Sequence, residues 1–139
     1  MKKYLAALAS LFLFTASAGA ADNVKIGFIT TLSGPAGIIG KHMKDASELA
    51  LSMLGGKVGG VPAQIVYGDD QQKPDIGRQV SDEMLTRDKV DFLTGVIWSN
   101  VMLAIYQPVI QSGTLLISAN AGPHEVACEK CAQIGRAHV

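Results

Sequence analysis

The sequence predicts an α/β domain built on a doubly wound parallel sheet with strand order 2-1-3-4. Three observations point to it. Four short β-branched, apolar runs alternate with three amphipathic helical stretches, which is the pattern of right-handed crossovers joining parallel strands. The runs are apolar throughout rather than alternating with polar residues, as strands covered on both faces are. Glycine or polar pairs mark each change of period. No repeat, low-complexity tract or linker interrupts the 139 residues.

Val24-Lys25-Ile26-Gly27-Phe28-Ile29-Thr30 reads as the first strand, broken by Leu32-Ser33-Gly34-Pro35. The first helix follows, with Ala46, Leu49, Ala50, Met53 and Leu54 on one apolar face. Gly55-Gly56 ends it and Gly59-Gly60 continues the turn. Ala63 to Tyr67 is the second strand, closed by Gly68-Asp69-Asp70. Pro74 suits the first turn of a second helix that carries Ile76, Val80 and Met84. Val90 to Thr94 opens a third strand that ends near Trp98. The third helix shows Met102, Ile105, Tyr106, Val109 and Ile110 on one stripe, with Pro108 kinking it or marking its last turns. Thr114 to Ser118 is the fourth strand.

The chain opens with Met1-Lys2-Lys3, an apolar run from Tyr4 to Phe14, and small residues to Ala18-Gly19-Ala20. This is a cleavable export signal, residues 1–20, too short to span a bilayer. No cysteine follows the run to take a lipid anchor, so a soluble periplasmic protein without membrane insertion is expected. Without Lys2 and Lys3, ten basic residues face twelve acidic ones, a net charge of −2. With no basic stripe, a nucleic-acid partner is not expected. Residues 21–132 make one small domain. Residues 134–139 complete no structural unit and look like one reading frame of a sequencing adapter, so the tail is placed at residues 133–139. They are expected to be a non-native tail left by truncation, and Arg136 and His138 carry no functional weight.

In an open parallel sheet, ligands bind beyond the carboxyl ends of the strands where the order reverses. Order 2-1-3-4 puts that point between strands one and three, so the loops holding Ser33 and Trp98-Ser99-Asn100 should converge. The Ala119-Asn120-Ala121-Gly122 loop lies next to them. Ser99 stands at the expected N-cap of the third helix. Its hydroxyl either caps that helix or, with the free N–H groups of the first turn, receives a carboxylate; the two roles are compatible.

With these residues in hand, the chain resembles the Leu/Ile/Val-type periplasmic solute-binding proteins of ABC importers. The resemblance runs from Val24 to about Ala132. It is carried by Val24-Lys25-Ile26-Gly27 before Leu32-Ser33-Gly34-Pro35, and by Gly68-Asp69-Asp70. It implies the Rossmann-like, incomplete first lobe of a two-lobe protein. The complete protein would be a monomer that captures a small carboxylate, a branched-chain amino acid or an aromatic acid, and delivers it to a membrane permease. No cofactor, metal or catalytic residue is implied. In amino-acid binders of this type, a serine ending the third strand takes the carboxylate, and Ser99 matches it. The carbonyl and threonine hydroxyl that hold the ammonium correspond to Asn120 and Gly122, so one ammonium ligand is missing. An aromatic wall residue corresponds to Ile39. The family's disulfide near this site has no counterpart, because Gln72 and Trp98 occupy the region. These departures suit a carboxylate lacking an ammonium group, such as an aromatic acid. Trp98 and Asn120 would then supply stacking and a hydrogen bond. The stretch from Trp98 to Met102, with Asn120-Ala121-Gly122-Pro123, also looks like members taking up aromatic acids.

Other readings are weaker. Gly34 to Lys41 misses phosphate-loop spacing by one residue, and His42 replaces the hydroxyl. Asp69-Asp70 reads as a turn with hydrogen-bonded carboxylates rather than a metal site, since strand one ends in Thr30-Thr31. Cys128 and Cys131 suggest a local disulfide or pairing with another cysteine, because no second ligand pair exists for zinc. His42 and His124 read as solvated, and Met43, Met53, Met84 and Met102 as core or near-core packing. A ligand-sensing receptor or amide-responsive regulator could use the same lobe. An exported α/β enzyme fits less well, for want of a nucleophile elbow, a metal pair or a Ser/His/Asp set at motif spacing.

Overall fold

The structure, a computed structural model, describes residues 23–126 and the backbone of 135–136. The expected export signal, Cys128, Cys131 and the rest of the expected 133–139 tail lie outside the described residues. The elements are β1 (Val24–Thr30), α1 (Gly37–Met53), β2 (Lys57–Val58), β3 (Val61–Asp69), α2 (Pro74–Glu83), a π-helical turn over Met84–Asp88, β4 (Phe92–Thr94), α3 (Ser99–Gln111), β5 (Leu115–Ser118) and β6 (Gly135–Arg136). They form one sheet in the order β2-β3-β1-β4-β5-β6. The four expected strands are β1, β3, β4 and β5, so the order 2-1-3-4 is found, with one more strand at each edge.

Every pairing is parallel except β2 with β3. That exception is a hairpin the sequence reading missed. Gly59 and Gly60 sit at φ +60° and +85°, the left-handed pair a two-residue hairpin turn needs. Glycine pairs between short strands are a hairpin signal, and here the strand before the pair has only two residues.

β1 lies at the centre, in register with β3 from Val24–Ala63 to Thr30–Asp69 and with β4 from Ile26–Phe92 to Phe28–Thr94. Its alternating residues serve different layers. Gly27 and Ile29 face α2 and α3; a Cβ at Gly27 would come within 2.5 Å of Leu93 and 3.1 Å of the Met84 sulfur. Ile29, Leu93, Leu116, Val101, Ile105 and Val109 are fully buried in that layer. The expected α3 stripe is borne out, with Met102, Ile105, Tyr106 and Val109 buried, and Pro108 falls in the last turn. In α2 Pro74 starts the helix as expected, but its buried line is Gly77 and Ser81, with Ile76 and Val80 only half-buried.

The other face of the sheet is covered loosely. Ile26, Phe28 and Ile65 look across a groove of about 220 Å³ toward Ala50 and Leu51 of α1 and Leu54 just past its end. The apolar face expected on α1 is largely uncovered among the described residues: Leu49 is 62%, Met53 79% and Leu54 60% exposed. Met53 is therefore not a core residue. The cause lies at the start of the helix, where a Cβ on Gly40 would overlap the Thr31 carbonyl oxygen. That close approach turns the line Gly40, Met43, Ser47, Leu51 inward, offset from the apolar stripe. Ser47 on this line hydrogen-bonds the Tyr67 hydroxyl at 2.7 Å.

The third strand is shorter than expected and stops at Thr94. Gly95 has φ +92°, and a Cβ there would come within 2.6 Å of the Phe28 ring. The chain leaves the ladder at that residue, and Val96 to Trp98 continue outside it. Among the described residues no helix is long and apolar enough to cross a membrane.

Candidate functional site

Because β1, β3, β4 and β5 run parallel, their carboxyl ends share one rim, and adjacent carboxylates at the end of β3 organise it. Asp69 Oδ1 accepts the Leu32 N–H at 2.8 Å and the Gln71 N–H at 2.9 Å. Burial pushes the Asp69 carboxyl up. The Ser33 hydroxyl and the N–H groups of Leu32, Gln71 and Ser33 outweigh this and hold it below the usual carboxylate value. Asp70 is fully buried; its Oδ1 accepts the Thr31 hydroxyl at 2.5 Å and the Gln72 N–H at 2.8 Å. These bonds hold Gln71 and Gln72 at φ +50° and +61°, a conformation that costs a non-glycine residue roughly 1 kcal/mol or more. Asp69 and Asp70 thus form the expected hydrogen-bonded turn. Among the described residues no group of three or more His, Cys, Asp or Glu could hold a metal.

On the other side of β1, the Trp98 indole N–H donates to Thr31 Oγ1 at 2.8 Å. Trp98, not Ser99, is the N-cap of α3, with extended φ −104° and ψ +135°. The expected N-cap position is therefore corrected by one residue. The segment before α3 is held extended by bonds to the next loop: the Ala121 N–H donates to Val96 O at 3.2 Å, and Asn120 Nδ2 to Ile97 O at 3.3 Å. The first bond of the helix then runs from the Met102 N–H to Trp98 O at 3.0 Å.

Among the described residues no side chain caps this helix end, so the capping role open to Ser99 is not found. Ser99 and Asn100 are exposed. The N–H groups of Ser99, Asn100 and Val101 precede the first intrahelical donor, and the positive end of the helix dipole lies among them. A hydroxyl beside such N–H groups can receive one small anion.

The β5 loop completes the rim. The Ser118 hydroxyl donates to Ala121 O, while Asn120 and Gly122 are exposed. A Cβ on Gly122 would meet nothing within 4 Å, so the missing hydroxyl there is not enforced by packing.

The structure puts Ser33, Ile39, Trp98, Ser99, Asn100, Asn120, Ala121 and Gly122 on the loops and first helical turns at this end of the sheet. Four of them offer less than their side chains suggest, since Trp98 donates to Thr31 and Asn120 to Ile97 O. The Ser33 hydroxyl is engaged with Asp69, and the Ala121 side chain is buried. Ile39 is 41% exposed on the first turn of α1. His42 and His124 are exposed, as expected. Sequence reasoning missed Thr31 and the second role of Asp70. The available signal was a hydroxyl residue ending one central strand and an acid ending its neighbour.

The profile of the periplasmic binding protein family matches residues 23–133. Leu/Ile/Val-binding protein homolog 6 of Brucella abortus (strain 2308) is 29% identical over 128 residues, covering 91% of this chain and 33% of its own length. The chain thus spans about a third of the curated relatives it matches. An R. palustris ABC-transporter solute-binding protein, solved in complex with benzoate, superposes with a TM-score of 0.76 at 27% identity over 82% of this chain and 32% of that one. The branched-chain amino acid binding protein LivJ of Streptococcus pneumoniae, solved with isoleucine, gives 0.73 at 22% identity over 82% and 33%. At that identity it speaks to the fold alone. With the parallel sheet, the rim and a match over most of its length, the chain belongs to the periplasmic binding protein family.

Proposed function

We propose that residues 21–132 are the opening part of lobe one of a periplasmic substrate-binding protein. It would serve an ABC uptake system, hold a small carboxylate between two lobes and present it to the membrane permease on closure. The observation that carries this reading is the uncapped α3 N-terminus, with the exposed Ser99 hydroxyl beside its free N–H groups. A carboxylate there would take the Ser99 hydroxyl and one or two backbone donors, with Asn100 at the edge.

Within that class an aromatic acid is favoured over an α-amino acid. Gly122 brings no hydroxyl to an ammonium group, although there is room for one. Neither acid at the end of β3 is placed to replace it, because Asp69 is bonded to the β1 loop and Asp70 is buried. Trp98 and Ile39 offer flat and apolar surface instead, and Asn120 offers a polar edge suited to a ring hydroxyl. The benzoate-bound relative supports the same choice. Calorimetric titration of the complete protein tests it: benzoate and 4-hydroxybenzoate bind, and leucine and isoleucine bind more weakly. Tight leucine binding with no response to the benzoates overturns it.

A further inference from the structure

We propose that Thr31 and Asp70 are positioning residues that lock the Trp98 indole with its N–H turned into the protein. Trp98 then meets a ligand through ring surface alone and selects a flat, apolar group. The ligand half of this inference rests on the reading of the rim given above; the orientation of the indole does not.

The direction of each hydrogen bond follows from the chemistry of the three groups. An indole N–H only donates, so Thr31 Oγ1 must accept from Trp98 at 2.8 Å. The Thr31 proton is then free for one acceptor, and Asp70 Oδ1 stands 2.5 Å away. Asp70 Oδ1 also takes the Gln72 N–H at 2.8 Å, which marks that oxygen as an acceptor. The chain therefore runs one way, from indole to hydroxyl to carboxylate. A hydroxyl that donates is a better acceptor, so the bond from Thr31 to Asp70 strengthens the one from Trp98 to Thr31.

Burial keeps water from substituting. Thr31 is 1% and Asp70 0% exposed, whereas Trp98 is half-buried and packs against the core cluster. Asp70 Oδ2 is buried and has no hydrogen-bond partner among the described residues. A buried carboxylate oxygen left unpaired destabilises the fold, so Asp70 is poorly explained as a stabilising group by itself. Its bonded oxygen ties together the ends of β1 and β3 and the start of α3. With the indole N–H occupied, Trp98 has no hydrogen bond left to offer a ligand.

Trp98 is the sole tryptophan of the 139 residues, and in the complete protein its indole N–H is assigned as the resonance lost in Trp98→Phe. Hydrogen exchange of that N–H in unliganded wild-type protein needs no variant to fold. We expect it to be at least about tenfold slower than in N-acetyltryptophanamide. Thr31→Val, which keeps the shape and removes both bonds, should abolish that protection and weaken benzoate binding by about fivefold. Thr31→Ser should restore both. Wild-type exchange as fast as the free amide overturns the proposal, as does protection that survives in a folded Thr31→Val. If wild-type protein ignores benzoate, the aromatic-acid reading and the selectivity drawn from it fail, while the exchange result still decides the lock.

Discussion

The two faces of the sheet differ more than their sequences do. On the α2/α3 face, small and branched residues interlock: Gly27 admits Leu93 and Met84, Gly77 admits Val101, and six large apolar side chains are fully excluded from water. On the α1 face, residues as apolar as these look across an open groove, and the outer stripe of the helix is bare among the described residues. Neighbouring residues of β1 therefore lie in different surroundings. Periodicity identifies which residues are apolar on one side. It does not say whether another layer reaches them.

The first prediction tests that contrast directly and is the largest. Leu93→Ala removes a fully buried side chain from the tight face and should destabilise the fold by about 2–5 kcal/mol. Leu49→Ala, at 62% exposure on the loose face, should change stability by no more than about 0.5 kcal/mol. Urea unfolding measures both. Similar losses from the two substitutions would mean that the α1 stripe is covered in solution, and the contrast would disappear.

Ser99→Ala sharpens the distinction between packing and binding. In the complete protein it should weaken carboxylate binding by about 1.5–3 kcal/mol, the range for a hydrogen bond to a charged group. Since Ser99 caps nothing, its loss should leave the urea midpoint nearly unchanged. Calorimetry and unfolding on the same samples separate the two effects. Unaltered affinity would remove Ser99 from the site; a lowered midpoint would return it to the helix as a structural residue.

Much of this was legible in the chain. The parallel sheet followed from four apolar runs and the helices between them, and the rim followed once the order 2-1-3-4 was taken for it. The start of α3 was missed by one residue, because helix boundaries depend on where the preceding segment is tied. Here Val96 and Ile97 are held by Ala121 and Asn120, more than 20 residues away in sequence. The lock on Trp98 was illegible for a related reason. Thr31, Asp70 and Trp98 come from three strand ends, and no local pattern announces that their side chains meet. Asp69-Asp70 was readable as a turn because part of its bonding is local, to Gln71 and Gln72.

The smallest expected effect lies on the rim itself, where Asp69 is partly exposed and solvent screening limits its contribution. Burial raises its carboxyl, but the bonds from Ser33, Leu32 and Gln71 leave the folded value below the ordinary 3.8. As pH falls, the unfolded chain takes up the Asp69 proton before the folded one does. Asp69 thus adds stability above its unfolded pKa, and that share is lost as pH drops through its lower folded value. Urea midpoints of the wild type should therefore decline more steeply below about pH 4 than those of Asp69→Asn, which keeps an acceptor oxygen but cannot ionise. Above about pH 5 the gap between the two curves should be constant. Parallel curves throughout would mean that Asp69 is no better placed than an exposed carboxylate. The β1 loop would then be held by Gly37 and Gly40 packing against it rather than by charge.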